Sequence, residues 1–219
     1  MGKDKIRRFA EIDTFSNVLQ LDAGKPFKGK WAKEFFKNDN PVVLELACGK
    51  GEYTVNLAQL FPHKNFIGID YKGNRIWRGA KTALEENVPN VAFLRIQIET
   101  LIEYFGTNEV DEIWITFPDP QPQLSREKKR LTSKRFLDMY KQVLKPDGCI
   151  NLKTDNDDFY AYTAGKIDEL SFDLHIKTDD LYHSPYADEV LSIKTYYEKK
   201  YLKDNKNINY LKFSFPNNG

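Results

Sequence analysis

The sequence predicts an α/β fold in which a doubly wound, mainly parallel sheet carries helices on both faces. From Pro41 onwards, short apolar runs alternate with stretches of about 10–15 residues whose apolar positions recur at helical spacing. A turn containing Gly49 and Gly51 follows the first apolar run directly. This alternation is typical of βαβ units with right-handed crossovers, and no linker or repeat interrupts it.

The first predicted elements build one such unit and begin the next. Val42–Leu46 is an apolar strand, and a helix over Glu52–Leu60 follows the glycine turn. Pro62 and Asn65 mark a break before a second strand at Phe66–Asp70. The later predicted elements are a helix over Lys72–Glu86, a strand over Val91–Ile96, a short helix at Thr100–Tyr104, a strand over Val110–Phe117, a helix from Thr132 or Ser133 to Leu144, a turn at Lys145–Gly148, a strand at Cys149–Lys153, a helix from Asp155 to Leu170 and a strand at Phe172–Lys177.

The C-terminal part carries a helix-start signal. Thr195 and Glu198 fit a capping box, in which the Thr hydroxyl accepts a backbone N–H and the Glu carboxylate accepts the N–H of the Thr. The predicted helix runs to about Lys203, and Ile208–Phe215 is the last predicted strand. The backbone donors at such a helix start are one place where a ligand can bind.

Residues 1–40 are predicted to form a basic N-terminal extension, separate from a domain over residues 41–219. Trp31, Phe35 and Phe36 predict one short helix there, and the first dozen residues are expected to be mobile. The N-terminus lacks the apolar segment of a signal peptide, and no apolar run approaches the roughly 20 residues that span a bilayer. We therefore expect a cytoplasmic protein that does not enter a membrane.

Charge and cysteine content exclude little by themselves. The formal net charge of +1 gives no global argument for nucleic-acid binding, although cations cluster at Lys3–Arg8 and at Arg126–Arg135. Such clusters are ordinarily solvated faces, so a partner has to be argued from sites. Cys48 and Cys149 lie far apart in apolar surroundings, which predicts reduced, packed thiols and no metal site.

Polar groups follow the ends of the first three predicted strands, where doubly wound sheets bind ligands. Gly49 and Gly51 let the backbone approach a ligand closely. Asp70 lies about 20 residues beyond them and suits the two hydroxyls of a ribose, while Gln97 suits an adenine edge. Dinucleotides and S-adenosylmethionine share this much of the layout.

Two residues separate those cofactors. Thr54 stands where a dinucleotide pattern that starts at Gly49 requires its third glycine. Glu45 is expected to lie inside the turn, where it would repel a pyrophosphate but suits the ammonium or sulfonium of S-adenosylmethionine. The sequence therefore predicts S-adenosylmethionine as cofactor and disfavours an NAD-dependent oxidoreductase.

Asp119 is the leading catalytic candidate on the substrate side. Pro118 and Pro120 flank it and restrict the backbone, so its carboxylate is held at little entropic cost. A Pro-Asp turn is common on its own. At the end of the fourth strand of a predicted methyltransferase, however, this carboxylate lies at the ligand-binding edge of the sheet.

Five short motifs follow one another at characteristic spacing. They are, in order, Leu44–Glu52, Gly68–Lys72, Phe117–Pro120, Lys153–Asp155 and Thr195–Glu198. The glycine turn in the first is generic to methyltransferases, whereas the combination of the last three motifs is much more specific. In these motifs the chain resembles the bacterial tRNA (guanine-N7-)-methyltransferases, over roughly residues 41–215.

The resemblance implies a seven-stranded, Rossmann-like class I methyltransferase sheet whose last strand is antiparallel. It also implies methylation of guanine N7 in the tRNA variable loop, usually at position 46. The residues that match cofactor-contacting positions are Glu45, Asp70, Gln97 and Asp119, and those that match substrate-binding positions are Gln123, Asp155, Thr195, Tyr196, Tyr197 and Glu198.

The chain departs from the family pattern around Gln121–Arg126. The family usually has Trp and then Pro-Lys-Lys-Arg-His there, so several cations are missing, although Lys128–Arg130 match the basic group that follows. Gln97 replaces an acidic residue and still offers an amide oxygen to an adenine amino group. Ala47 replaces the first glycine of the turn. Gln123 stands where the family usually has a lysine that contacts tRNA, which puts that contact in doubt for this chain.

A mechanism follows from guanine chemistry. N7 is an unprotonated lone pair, so the transfer requires in-line placement rather than a general base. We expect Asp119, Asp155 or both to accept the N1–H and N2–H₂ donors of an unstacked guanine, with Thr195 and Glu198 closing the pocket. A methyltransferase that acts on another RNA or on an amine stays open as an alternative, as does a non-catalytic RNA- or nucleotide-binding module. A monomer and a homodimer are both open.

Overall fold

A single eight-stranded sheet runs through residues 3–216, which the computed structural model describes, in the spatial order β1-β4-β3-β2-β5-β6-β8-β7. The strands are β1 Val18–Gln20, β2 Val42–Leu46, β3 Asn65–Ile69, β4 Val91–Arg95, β5 Val110–Thr116, β6 Leu144–Thr154, β7 Asp173–Thr178 and β8 Asn209–Ser214. The α-helices are α1 Lys3–Ile12, α2 Glu52–Leu60, α3 Gly73–Glu85, α4 Lys134–Val143, α5 Asp157–Glu169 and α6 Tyr196–Lys203. Short helices occupy Leu21–Phe27, Trp31–Phe35, Ile98–Glu103, Leu124–Lys129 and Leu181–His183.

The sheet is parallel from β1 to β6, whereas β8 runs antiparallel to β6 and β7 antiparallel to β8. The predicted α/β class and mainly parallel sheet are therefore confirmed. The predicted count of seven strands is wrong, because β1 adds an eighth strand at the edge beside β4. The segment Lys145–Gly148, predicted as a turn, lies within β6.

Strand β2 is buried on both faces and divides the core in two. Leu44 and Leu46 belong to a cluster with residues of α4 and α5, while Val43 belongs to a second cluster with residues of α2 and α3. Successive side chains of a strand point to opposite faces, so this one strand anchors both helical layers. The ends of β2, β3 and β5 are thereby fixed at one edge of the sheet.

The first forty residues contribute more structure than the sequence predicted. Residues 3–12 form α1, which packs on α3 through Ile12, rather than a mobile segment. The predicted short helix is present, and its Trp31 is fully buried and donates its indole N–H to the Tyr104 carbonyl at 2.8 Å. The boundary between residues 40 and 41 stays a prediction, and residues 1–2 and 217–219, at the outer ends of the two predicted domains, lie outside the described residues.

None of the described helices has the length and apolar character that crossing a membrane requires.

Candidate active site

The turn between β2 and α2 depends on left-handed backbone. Gly49 has φ +57° and Gly51 has φ +68°, and a Cβ at Gly51 would lie 2.4 Å from the Phe93 ring. Ala47 adopts φ +58°, a conformation that costs an alanine more than the glycine the family usually has. Gly51 is thus required by packing as well as by conformation, and it brings the start of α2 against β4.

Glu45 is a buried side chain of β2 rather than part of the turn itself. One carboxylate oxygen accepts the Thr54 backbone N–H at 2.8 Å and the Thr54 hydroxyl, and the other accepts the Thr116 hydroxyl. Burial raises the pKa of Glu45 to about 7, although these three hydrogen bonds act in the opposite direction. Thr54, the residue that argues against a dinucleotide, is therefore also a direct partner of this carboxylate.

Glu45 lines a small cavity, of about 60 Å³, together with Gly49, Thr116, Thr195 and Tyr197. The cavity lies between the glycine turn and the start of α6. Residues predicted to bind the cofactor and residues predicted to bind the substrate therefore line the same cavity.

Asp70 follows β3 and is held by the backbone. Its two oxygens accept the N–H of Gly49 at 2.9 Å and of Lys72 at 2.7 Å. Asp70, Gln97 and Asp119 line one cavity of about 370 Å³. The structure thus brings three of the predicted cofactor residues together at the carboxyl ends of neighbouring strands.

Asp119 sits in a tight local turn. Phe117, two residues earlier, has φ +49°, and Asp119 accepts the N–H of Gln121 at 3.1 Å. This carboxyl–amide turn holds the carboxylate, which lines the same cavity.

The loop after Asp119 is ordered by Arg130, which is buried. Its guanidinium donates to the carbonyls of Gln121 at 3.2 Å and Pro122 at 3.4 Å, and its centre lies 4.3 Å from the ring centroid of Tyr162. Gln123 is exposed, and Leu124 is 85% exposed. The solvent-exposed cations of this loop are Arg126, Lys128 and Lys129, and the last of these lines the Asp119 cavity.

Asp155 lies in a different cavity. It accepts a hydrogen bond from Lys206 at 3.1 Å and lines an open cleft of about 800 Å³ with Asp157 and Asn209. No residue lines both this cleft and the cavity of Asp119. The described side chains therefore do not place the two predicted guanine-binding carboxylates in one pocket.

The predicted capping box at the start of α6 is confirmed. Thr195 accepts the N–H of Glu198 at 3.2 Å, and the Glu198 carboxylate accepts the N–H of Thr195 at 3.3 Å. The N–H of Tyr196 donates to Glu52, at the start of α2, at 2.7 Å. Tyr196 and Tyr197 are exposed and lie edge to face, whereas Glu198 is fully buried.

Sequence reasoning missed four residues that organise this site: Glu52, Thr116, Lys153 and Arg130. Thr116 and Lys153 carried one readable signal, because each is a polar residue at the end of an apolar strand. Glu52 and Arg130 carried none, since an acidic first helical residue and a basic cluster are both common.

The arrangement suits a cationic nucleoside cofactor. A buried carboxylate, a carboxylate for ribose hydroxyls and an amide for a base edge line two cavities on either side of the glycine turn. Across residues 3–216 no group of three or more His, Cys, Asp or Glu is arranged to hold a metal ion.

Solved structures share the fold. The 16S rRNA methyltransferase KamB superposes with a TM-score of 0.63 at 18% identity, over 86% of this chain and 95% of that chain. A mutant 16S rRNA (adenine(1408)-N(1))-methyltransferase from Catenulisporales acidiphilia, crystallised with its cosubstrate SAM, gives 0.57 at 12% identity, over 85% and 90%. The fold and the site define a class I methyltransferase that uses S-adenosylmethionine.

Sequence comparison identifies the family. Residues 39–211 match the family described as "Putative methyltransferase" (Methyltransf_4). The tRNA (guanine-N(7)-)-methyltransferase of Christiangramia forsetii is 54% identical, over 97% of this chain and 98% of the relative. That of Bacteroides thetaiotaomicron is 48% identical, over 100% and 88%. The chain belongs to the tRNA (guanine-N(7)-)-methyltransferase family.

Proposed function

We propose that this chain transfers a methyl group from S-adenosylmethionine to N7 of a guanine in tRNA, at position 46 of the variable loop, giving 7-methylguanosine. The observation that carries the proposal is the 54% identity to a tRNA (guanine-N(7)-)-methyltransferase over nearly the full length of both chains. The matched family region, residues 39–211, includes the glycine turn, Asp119 and the start of α6.

On the cofactor side, Glu45 is assigned to the ammonium of the methionine moiety and Asp70 to the ribose hydroxyls. Gly49 and Gly51 let the backbone come close to the ligand, and Gln97 accepts the adenine amino group. When bound, S-adenosylmethionine supplies an electrophilic methyl group on a sulfonium. The protein then has to hold the acceptor nitrogen in line with that methyl group.

On the substrate side, Asp119 is assigned to the Watson–Crick edge of guanine, where its carboxylate can accept N1–H and N2–H₂; Asp155, which lines a separate cleft, is assigned to another part of the tRNA substrate. Gln123, Tyr196 and Tyr197 are exposed and are assigned to contacts with the surrounding nucleotides. Thr195 lines the cavity beside Glu45 and closes the pocket. The target base has to leave its stack, because the pocket encloses it.

The experiment that tests the proposal is mass spectrometry of tRNA nucleosides after incubation of the full-length chain with S-adenosylmethionine. We expect 7-methylguanosine in unmodified tRNA and its absence in a matched tRNA that carries adenine at position 46. Methyl transfer to free amines or to another nucleoside would contradict the proposal. Uptake of S-adenosylmethionine itself would distinguish an enzyme from a module that only binds RNA.

Replacement of the Asp119 carboxylate tests its assigned role. We expect Asp119→Ala to lower kcat/KM for tRNA roughly 10- to 100-fold, because charge-assisted hydrogen bonds to the base are lost. Asp147→Ala is the matched control, because Asp147 is exposed near the start of β6, at the end of the strand away from the candidate site. Weaker binding with unchanged turnover would make Asp119 a positioning group, and full activity would remove it from the site.

A cytoplasmic location and a monomer or homodimer remain predictions. Both accord with an enzyme that acts on tRNA, and size-exclusion chromatography with light scattering would decide the second.

A further inference from the structure

A buried ion pair joins the end of β6 to the start of α6. Lys153 Nζ lies 2.8 Å from Glu198 Oε1, and both side chains are 0% exposed. The ammonium also donates to the carbonyls of Leu191 at 2.8 Å and Ile193 at 3.3 Å, so its three N–H groups have three acceptors. Burial lowers the pKa of Lys153, while Glu198 acts in the opposite direction.

Both oxygens of the partner carboxylate are engaged by the protein. Glu198 Oε1 accepts from Lys153 and from the Tyr182 hydroxyl, and Oε2 accepts the N–H of Thr195. Because Glu198 is fully buried and both oxygens are engaged by the protein, no face of it is open to a substrate. Glu198 can therefore affect a substrate only indirectly, through the residues to which it is hydrogen-bonded.

One of those residues, Thr195, lines the cavity of Glu45, and so does Tyr197, which lies between Thr195 and Glu198 in the chain. The segment is tied on its other side as well, because Tyr196 donates its N–H to Glu52 beside the glycine turn. The strand end that carries Lys153 and the turn that binds the cofactor thus hold the same short stretch of chain between them.

We propose that Lys153 and Glu198 are positioning residues, which set Thr195 and Tyr197 at the methyl-transfer site without touching the substrate. The inference rests on the proposed function and deepens it. A small displacement of this wall would misalign the guanine. Misplacement by about 1 Å is enough to cost roughly 100-fold in rate.

A purely structural role is the alternative. Buried ion pairs are often no more stabilising than a neutral pair of similar volume, and removing one partner leaves a costly unpaired charge. The double variant Lys153→Met/Glu198→Gln removes both charges. It therefore distinguishes an effect on the stability of the fold from an effect on the positions of Thr195 and Tyr197.

The test compares Lys153→Met, the double variant and Thr163→Val. The last variant breaks the buried Thr132–Thr163 hydrogen bond of 2.7 Å, away from the cavity. Urea unfolding, calorimetric binding of S-adenosylmethionine, and kcat and KM for tRNA are measured on each. Where Lys153→Met does not fold, the double variant alone decides.

We expect the double variant to regain stability and to bind S-adenosylmethionine within about threefold of wild type, while kcat on tRNA stays roughly 100-fold low. Thr163→Val should keep its kcat. Recovery of kcat together with stability in the double variant, or an equal loss in Thr163→Val, would overturn the positioning role. A wild-type chain that does not methylate tRNA would overturn the proposed function and this inference together, whereas the first two results overturn only the inference.

Discussion

Among the described residues, no cation pairs with the carboxylate of Glu45. Its hydrogen-bond partners are Thr54 and Thr116, and burial raises its pKa to about 7. An acid in such a site is held partly protonated at neutral pH until a positive ligand arrives. A cationic cofactor should therefore bind the ionised form and release the proton.

Cofactor affinity should depend on pH in a definite direction. Because the pKa of Glu45 is raised to about 7 in the free protein, acidification protonates it and removes the charge that we propose attracts the cofactor ammonium. We expect the Kd for S-adenosylmethionine to rise by up to about tenfold per pH unit below that pKa and to level off above it. Calorimetry in two buffers of different ionisation enthalpy measures both the affinity and the released proton.

Glu45→Gln is the control for this linkage. The amide keeps a similar shape but cannot titrate, so its binding should be weaker and nearly independent of pH. A wild-type Kd that does not change between about pH 6 and about pH 8 would contradict the linkage.

At the scale of elements, the glycine turn is held by packing of α2 and α3 against β4. We expect Gly51→Ala to lower the free energy of unfolding by about 1–3 kcal/mol, because φ +68° is strained and the new Cβ meets Phe93. Binding of S-adenosylmethionine should weaken with it. Urea unfolding and calorimetry measure the two effects.

Gly165→Ala in α5 is the matched control. No atom lies within 4 Å of a Cβ there, so the exchange should be neutral or stabilise by about 0.5–1 kcal/mol. Wild-type stability and affinity in Gly51→Ala would show that the turn adapts, against the argument from packing.

The sequence predicts most elements from β2 onwards because each is a buried apolar strand or an amphipathic helix with a punctuated end. The sequence does not predict strand β1, because the strand has three residues in a polar region, too few for a periodic signal. The sequence does not predict helix α1, because its apolar Ile6 is exposed and its contacts with α3 come from polar residues such as Arg8 and Glu11 as well as from Phe9 and Ile12. A local sequence pattern carries no information about the surface on which a short segment packs in the folded protein.

The residues of the candidate site also fall into some that the sequence could predict and some that it could not. That Glu45, Asp70 and Asp119 line cavities near the carboxyl ends of their strands could be predicted, because strand ends and glycine turns have a fixed place in such a sheet, whereas their roles stay predictions. The pairing of Lys153 with Glu198 could not, since it joins residues 45 positions apart in the chain through tertiary packing. For the same reason Arg130 was counted with the surface cations, although it is buried beneath the loop that it orders.

At the scale of the whole molecule, a net charge of +1 conceals an uneven distribution. Arg126, Lys128 and Lys129 are exposed beside the Asp119 cavity. Arg7 is exposed on α1 as well, but it is paired with Asp4 and Glu11. A polyanion that presents a base to the cavity would therefore meet its cations chiefly in the loop that follows Asp119.

Affinity for tRNA should fall steeply with added salt, because each neutralised phosphate releases counterions. We expect the double variant Lys128→Ala/Lys129→Ala to weaken tRNA binding and to reduce the slope of log K against log salt by about one per lysine. Lys33→Ala is the control, because Lys33 is exposed beside the starts of β2 and β5, at the opposite edge of the sheet. Filter binding over a salt series measures the slopes. Equal slopes in all three proteins would show that tRNA docks away from the loop that follows Asp119.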